Sequence, residues 1–142
     1  MEPSPIWKKM DVKNNLIKEY NHWNLLVKKN HVYLGSCIAI TKRPLKNFSD
    51  MNEDEIKEYL QIVKDIENAL KKLWNYDAIH HCMLMFKDKH THFHILPRYQ
   101  EPRNFAGIEW IDEFTPNPLG KKREVSQEVL NQIRDEIKKI LI

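Results

Sequence analysis

The strongest constraint on the fold is an amphipathic stretch between Asn52 and Leu73, near the middle of a chain of 142 residues. Apolar side chains recur there at steps of three and four residues, and glutamates and lysines fill the other positions, which predicts a helix with one buried face. Ser49 or Asn52 is suited to cap its N-terminus. The apolar positions are Ile56, Tyr59, Leu60, Val63, Ile66, Leu70 and Leu73.

Runs with β-strand character lie on both sides of this predicted helix. Before it, WNLLVKK (residues 23–29) and VYLGSCIAITKR (residues 32–43) are apolar and β-branched, which predicts two buried strands. After it, IHHCMLMF (residues 79–86) and HTHFHILPRY (residues 90–99) are predicted to form a hairpin, because only Lys87-Asp88-Lys89 separates them. This order of elements predicts the α+β class, with an antiparallel sheet of about five strands.

The two ends of the chain carry weaker signals. Residues 12–20 are predicted to form a short helix, and residues 101–124 are predicted to be irregular surface chain because prolines and glycines interrupt them. A C-terminal helix is predicted to start at Ser126, its N-cap. Its apolar positions are Val129, Leu130, Ile133, Ile137 and Leu141. The length fits one compact domain.

Composition narrows the classes of partner. Lys and Arg number 23 and Asp and Glu number 20, and this small, scattered excess does not predict a nucleic-acid surface. The N-terminal residues lack the apolar segment of a secretion signal, and no run is long enough to cross a bilayer. Cys37 and Cys82 lie in apolar strand-like runs, as reduced core cysteines do. We therefore expect a cytoplasmic protein that binds neither nucleic acid nor membranes.

The most informative motif is HTHFHILPR, residues 90–98. On a strand, alternate side chains face the same way, so His90, His92 and His94 share one face while Phe93 and Ile95 share the other. The apolar pair can enter a core while the imidazoles line a cleft. Solvent-facing histidines are the alternative, but a row of three on one face favours a ligand site.

Two chemistries fit such a row. Imidazoles are common zinc ligands, and His80, His81 or Cys82 on the neighbouring strand are available to complete a metal site. Alternatively, a neutral imidazole attacks phosphorus and forms a covalent phosphoramidate, while protonated neighbours donate hydrogen bonds to the phosphate oxygens. Histidine can serve either as the neutral nucleophile or as a protonated donor, because its ordinary pKa lies near neutrality. These residues alone leave both chemistries open.

The run HTHFHILPR resembles the signature of the histidine triad superfamily. Its ending, Pro97-Arg98, is similar to the branch that hydrolyses dinucleoside polyphosphates. Upstream, LGSCIAITKRPLKNFSDMNEDEI is similar to the family's second strand, its proline-containing exit and its central helix. The resemblance covers about residues 23–99. It implies a single histidine triad domain over residues 1–142, with a C-terminal extension and helix over residues 100–142.

The resemblance also implies roles for the three histidines. His92 falls on the nucleophile, which attacks the α-phosphate of a nucleotide and forms a nucleotidyl-histidine that water then hydrolyses. His94 is expected to contact phosphate oxygens. His90 is expected to assist phosphate binding and to fix the nucleophile, with its backbone carbonyl accepting the ring N–H of His92. No metal or other cofactor is required, apart from a divalent cation accompanying a polyphosphate substrate. Because no metal is required, the resemblance favours the nucleophile over a zinc site. The family usually forms homodimers through the central helix and a sheet edge.

Several positions depart from the family pattern. Ser36 stands where many relatives carry a further histidine, so a phosphate contact there is weaker or supplied elsewhere. Lys28 stands where an asparagine commonly touches ribose, and we include it among the nucleotide-binding residues. We also hypothesise that Lys87 or Lys89, at the hairpin tip, stabilises a polyphosphate leaving group. A solvated turn lysine is the alternative for each.

The expected function is hydrolysis of a phosphoanhydride in a dinucleoside polyphosphate or similar nucleotide. A nucleoside phosphoramidase or nucleotidyl transferase would use the same intermediate with another leaving group or acceptor. Two further classes of protein also fit the residues, namely a nucleotide-binding protein without turnover and a zinc-dependent hydrolase or metal carrier. The tryptophans are expected to be packing residues, with base stacking as an alternative for Trp23 or Trp110.

Overall fold

Five strands form one antiparallel sheet in the computed structural model, which describes residues 5–141. The spatial order is β1-β2-β3-β5-β4, so β1 and β4 form the edges. This sheet confirms the predicted α+β class and the approximate number of strands. Residues 1–4 and 142, at the ends of the predicted domain, lie outside the described residues. In chain order the strands are β1 (Leu16–Glu19), β2 (Trp23–Val27), β3 (Cys37–Thr41), β4 (Ala78–Cys82) and β5 (His92–Arg98).

The helices and a small hairpin surround this sheet. The helices are α1 (Pro5–Lys9), α2 (Val12–Asn15), α3 (Glu53–Trp74) and α4 (Gln127–Leu141), and the hairpin pairs β6 (Arg103–Phe105) with β7 (Ile108–Trp110). Helix α3 confirms the predicted amphipathic helix, and Asn52 is its N-cap, but Ile56 and Leu60 of the predicted buried face are 43% and 56% exposed. The Asn52 side chain accepts the Glu55 N–H at 2.9 Å, and the Glu55 carboxylate accepts the Asn52 N–H at 2.9 Å, which forms a capping box.

The main core lies between one face of the sheet and helices α3 and α4. Phe93 and Ile95 of β5 face this core, as the alternation of the histidine run predicts. The opposite face carries a second, smaller core in which Ile6 and Met10, in and just after α1, pack against three sheet residues. Those three are Leu26, Ile38 and Ile40. His92 and His94 lie on this second face.

Four local predictions need correction. Residues 12–20 form α2 followed by β1, because pairing of β1 with β2 overrides the local helical pattern. The second predicted strand is shorter and spans only Cys37–Thr41. The β4–β5 hairpin is confirmed, but its connection runs from residue 83 to residue 91 instead of three residues. The segment at 101–124 contains the β6–β7 hairpin, whose last residue, Trp110, is only 2% exposed.

The remaining expectations concern tryptophans, cysteines and membrane spans. Trp23 is fully buried, and its indole N–H donates to the Glu55 carbonyl, so neither Trp23 nor Trp110 is placed to stack on a base. Cys37 and Cys82 are both free thiols, of which only Cys37 is fully buried. Between residues 5 and 141, no helix combines the length and the apolar character needed to span a bilayer.

Candidate active site

The tautomer of His92 is set by its own strand. Its Nδ1 lies 2.6 Å from the backbone carbonyl oxygen of His90. A carbonyl oxygen only accepts hydrogen bonds, so Nδ1 carries a proton and donates it, and in the neutral form of the ring the lone pair is on Nε2. No hydrogen bond within residues 5–141 uses this Nε2 atom, and His92 lines a cleft. The bond expected between His92 and the His90 carbonyl is therefore present, and it orients the ring with Nε2 toward the cleft.

The side chain of His90 lies elsewhere. His90 precedes β5, and its Nε2–H donates to the Thr41 carbonyl at 2.6 Å. The Trp7 ring meets the imidazole edge-on, with centroids 5.6 Å apart. Burial lowers the pKa of His90, and the protein carries no hydrogen-bond partner for its Nδ1 in the described part of the chain. The His90 ring does not line the cleft.

His94 stays neutral at physiological pH. Burial, and then the nearby charge of Lys28, lower the pKa of His94 to about 3. Its ring centroid lies 5.0 Å from that of His92, with the planes nearly perpendicular. Its Nδ1 is buried and has no hydrogen-bond partner among residues 5–141. A buried polar atom left without a partner is unfavourable, so this side of the cleft is suited to a polar ligand.

Lys28 is a buried cation on the same sheet face. Residues of β2 alternate between the two cores, so Lys28, directly after Val27, continues the face that carries Leu26. Lys28 is only 4% exposed, and burial lowers its pKa to about 8. No carboxylate among residues 5–141 pairs with its ammonium. A buried ammonium without a carboxylate partner is costly, and a bound anion would compensate it.

The cleft has a volume of about 570 Å³ and a predominantly basic wall. Asp88 is its one carboxylate within residues 5–141, and Asp88 is already paired with Lys9 at 2.9 Å. The other cations of the wall are Lys28, Lys87 and Lys122. Apolar side chains, namely Met10, Leu84, Phe86 and Leu119, complete the wall on either side of His92 and His94. The arrangement can hold an anion with an apolar substituent beside a nucleophilic imidazole.

Two other predicted site residues lie outside the cleft. Ser36 is fully buried, and its hydroxyl donates to the Tyr33 carbonyl at 2.6 Å. Lys89 does not line the cleft, whereas Lys87 does. Because neither Ser36 nor the His90 ring lies on the cleft wall, neither side chain is positioned to contact a phosphate there.

The residues considered for a metal site point in different directions. His81 faces α3, where its ring nitrogens bond the Tyr59 hydroxyl at 3.1 Å and the Glu67 carboxylate at 2.8 Å. His80 is exposed. No group of three or more His, Cys, Asp or Glu side chains between residues 5 and 141 is arranged to hold a metal ion. The described donor set therefore does not fit a zinc centre.

The structure adds a positioning residue that the sequence pattern does not reveal. His31 is fully buried; its Nδ1–H donates to the Lys28 carbonyl at 3.0 Å, and its Nε2 accepts the Gly35 N–H at 3.0 Å. Burial lowers the pKa of His31 to about 4, so the neutral ring bridges the turn between β2 and β3. Gly35 has φ +91°, and a Cβ there would lie 2.7 Å from Leu70 Cδ2.

Comparison with known proteins shows which family the chain resembles. The HIT domain model matches residues 9–101 of the chain. An uncharacterized HIT-like protein of Methanocaldococcus jannaschii is 28% identical over 85 residues, which span 55% of this chain and 66% of that protein, just under two thirds.

Solved structures agree on the fold. A hypothetical histidine triad nucleotide-binding protein of Sulfolobus tokodaii superposes with a TM-score of 0.70 at 19% identity, covering 94% of this chain and 91% of that one. A histidine triad protein of Bradyrhizobium japonicum gives a TM-score of 0.74 at 13% identity, covering 99% and 98% respectively. At these identities the likeness shows the fold alone.

Proposed function

The chain belongs to the HIT domain family, and on this premise we propose that it binds a nucleotide and cleaves one of its phosphoanhydride bonds with His92 as nucleophile. The observation that carries the proposal is the 2.6 Å hydrogen bond from His92 Nδ1 to the His90 carbonyl, which leaves Nε2 free in the cleft. We assign the substrate to dinucleoside polyphosphates, for which the basic cleft wall and the Pro97-Arg98 ending are the support.

The first chemical step forms a bond between His92 Nε2 and the α-phosphorus. The bond from that phosphorus to the bridging oxygen breaks, and the leaving phosphate departs with the electron pair. The His92 ring then carries a positive charge, because its Nδ1 keeps its proton. The His90 carbonyl oxygen faces that N–H and stabilises the charge without moving.

Cations of the cleft wall favour this step. Lys28 lies buried beside His94, where its ammonium donates to the oxygens of the attacked phosphate more strongly than it would in water. His94 is neutral because its pKa is about 3, and its ring N–H donates to the same phosphate. Lys87 at the mouth stabilises charge that builds on the leaving polyphosphate. Lys28 thus supplies the contact that relatives obtain from a histidine at the place of Ser36.

Water completes the reaction in the second step. Its oxygen bonds to phosphorus, the bond to His92 Nε2 breaks, and the electron pair returns to the ring. The proton released by water passes to solvent, and the chain is restored with a nucleoside monophosphate as product. Splitting one displacement into two in this way lowers the barrier of each.

We also propose how the chain assembles. Residues 1–142 act as one histidine triad domain of a cytoplasmic homodimer that binds no nucleic acid. Strand β4 lies at an edge of the sheet, and Ile56 and Leu60 of α3 are 43% and 56% exposed, which supports pairing through this side. Light scattering of the purified chain tests the dimer, and a monomeric mass at micromolar concentration would contradict it.

The function is tested by product analysis. Diadenosine tetraphosphate and an adenosine phosphoramidate are each incubated with the native chain, with His92→Ala and with the control His80→Ala, whose histidine is exposed outside the cleft. The proposal predicts hydrolysis of the tetraphosphate by the native and control chains, and a loss on the order of a thousandfold or more in His92→Ala.

Different results would favour different functions. Cleavage of the phosphoramidate alone would identify a phosphoramidase that uses the same histidine. Nucleotide binding without turnover of either substrate would favour a non-catalytic binding protein and overturn the hydrolase. Unchanged turnover in His92→Ala would show that another group attacks.

A further inference from the structure

A second cavity adjoins the cleft of His92 and His94. It has a volume of about 400 Å³, and Gly120 and Lys122 line both spaces. We call it the distal cavity. Its walls come from Val32 and Tyr33 in the connection between β2 and β3, from Glu109 of β7, and from the segment 111–123 that follows the small hairpin.

The wall shared by the two spaces is held in place by close packing. Gly120 has φ +69°, and a Cβ there would lie 2.7 Å from Val32 Cγ1 and 3.0 Å from the Tyr33 hydroxyl. The Arg123 N–H donates to Asn30 Oδ1 at 2.6 Å, and the Arg123 carbonyl accepts the His31 N–H at 3.0 Å. Only glycine fits such close contact with Val32 and Tyr33 at this φ. These contacts hold the wall of the distal cavity in place.

Polar and apolar groups both line the distal cavity. Lys121 and Lys122 make exposed ion pairs with Glu113 at 3.6 Å and Glu124 at 3.1 Å, and such pairs exchange readily for a phosphate. Tyr33 is 3% exposed, and its hydroxyl lies next to Thr115 and Gly120 in the wall of the cavity. Val32 and Ile111 add apolar surface.

We propose that the distal cavity binds the second nucleoside of a dinucleoside polyphosphate, while Lys122 contacts the phosphates that pass between the two spaces. This inference rests on the proposed function and names its substrate more closely. Each space lies within the range of sites for small ligands, about 300–1,000 Å³. A mononucleotide fills one such site, whereas a ligand with two nucleosides joined by phosphates needs two sites connected by cations.

The test measures binding, so that it does not depend on turnover. In a His92→Ala background, calorimetry gives the Kd of diadenosine tetraphosphate and of adenosine triphosphate. The same pair is measured after adding Ile111→Trp, which fills the distal cavity from an exposed position, or Lys122→Glu. Lys138→Glu on α4 is the matched charge control, since Lys138 is exposed and lines neither space.

The proposal predicts that the dinucleotide binds at least about tenfold more tightly than the mononucleotide, and that Ile111→Trp and Lys122→Glu each reduce this ratio about fivefold or more. Lys138→Glu leaves the ratio unchanged. Equal affinities for both ligands, or equal weakening of both by Ile111→Trp, would overturn the distal site while leaving the hydrolase intact. Preserved selectivity without any turnover by the native chain would instead overturn the hydrolase and support the site.

Discussion

His92 and His90 are joined by a 2.6 Å hydrogen bond from the ring Nδ1–H of the former to the backbone carbonyl of the latter. This bond ties the tautomer of the neutral His92 ring to the backbone just before β5. No second side chain is needed to orient the ring, and His92 stays in position even though the His90 ring turns away toward Thr41 and Trp7. A side chain on a paired strand is also held more rigidly than one on a loop.

Lys28 should make nucleotide binding sensitive to alkaline pH. Its ammonium is charged below a pKa of about 8, so affinity should weaken as the pH rises above that value. A bound phosphate raises this pKa, so the loss occurs at higher pH in the complex than in the free protein. Lys28→Arg should remove the alkaline loss, and Lys28→Gln should weaken binding at pH 7 about ten- to hundredfold. Calorimetry from pH 6 to 10 checks this, and superimposable native and Lys28→Arg profiles would contradict it.

The buried charge of Lys28 should also lower the free energy of unfolding. Its native pKa of about 8 lies below the ordinary 10.5, so the penalty is fully present below pH 8 and is relieved as the pH rises toward 10.5. Lys28→Met should therefore raise the free energy of unfolding at pH 6.5 by on the order of 1–3 kcal/mol. Urea unfolding measures the change. The advantage of Lys28→Met should shrink above pH 8, and a destabilised variant would show that the buried charge has a compensating partner.

Lys87 and Lys89 provide a matched pair at the β4–β5 connection. Both are exposed, but only Lys87 lines the cleft. Lys87→Ala should reduce kcat for a dinucleoside tetraphosphate about two- to fivefold, the effect of one exposed charge, while Lys89→Ala should leave it unchanged. Steady-state kinetics at low ionic strength makes the comparison. Unchanged turnover in Lys87→Ala would remove this residue from the proposed mechanism.

Asp112 should be essential for holding the segment that walls the distal cavity. Its carboxylate accepts two hydrogen bonds from Arg98, at 2.6 and 2.8 Å, and one from the Phe114 N–H at 2.9 Å. Burial alone would raise the pKa of Asp112, but these bonds hold it below its usual value. Asp112→Ala leaves Arg98 without its partner and should cost about 3 kcal/mol in urea unfolding.

The control for Asp112 is another aspartate that pairs with an arginine. Asp135 bonds Arg134 at 2.9 Å, but its side chain is 52% exposed. Asp135→Ala should therefore change the free energy of unfolding by less than about 0.5 kcal/mol. Similar losses for both variants would show that burial of the Arg98 pair is not what matters.

Local patterns predicted the elements whose neighbours along the chain determine their structure. The N-cap at Asn52 and the apolar periodicity of α3 are short-range features. The alternation of HTHFHILPR correctly divided His92 and His94 from Phe93 and Ile95, although the His90 ring does not join them in the cleft. The triad signature, together with the order of strands and helix around it, also predicted the fold, because that order can be read along the chain. The residues that line the cleft, on which the proposed substrate depends, were known only from the structure.

Long-range contacts explain what the sequence did not reveal. Strand β1 exists because it pairs with β2, although residues 12–20 look helical in isolation. Lys122 and Leu119 reach the cleft through a connection that packs Gly120 against Val32, nearly ninety residues away along the chain. Lys28 lines the same cleft as this connection, so its lowered pKa and the absence of a carboxylate partner among residues 5–141 could not be predicted from the residues around it.

Trapping the covalent intermediate would show whether His92 is the nucleophile. The native chain is mixed with diadenosine tetraphosphate, quenched within milliseconds in alkaline denaturant, in which phosphoramidates survive, and digested for mass spectrometry. We expect a nucleoside monophosphate adduct on the peptide that carries His92, formed at least as fast as steady-state turnover and absent from His92→Ala. Turnover by the native chain with the adduct on another residue, or turnover that persists in His92→Ala, would contradict the account.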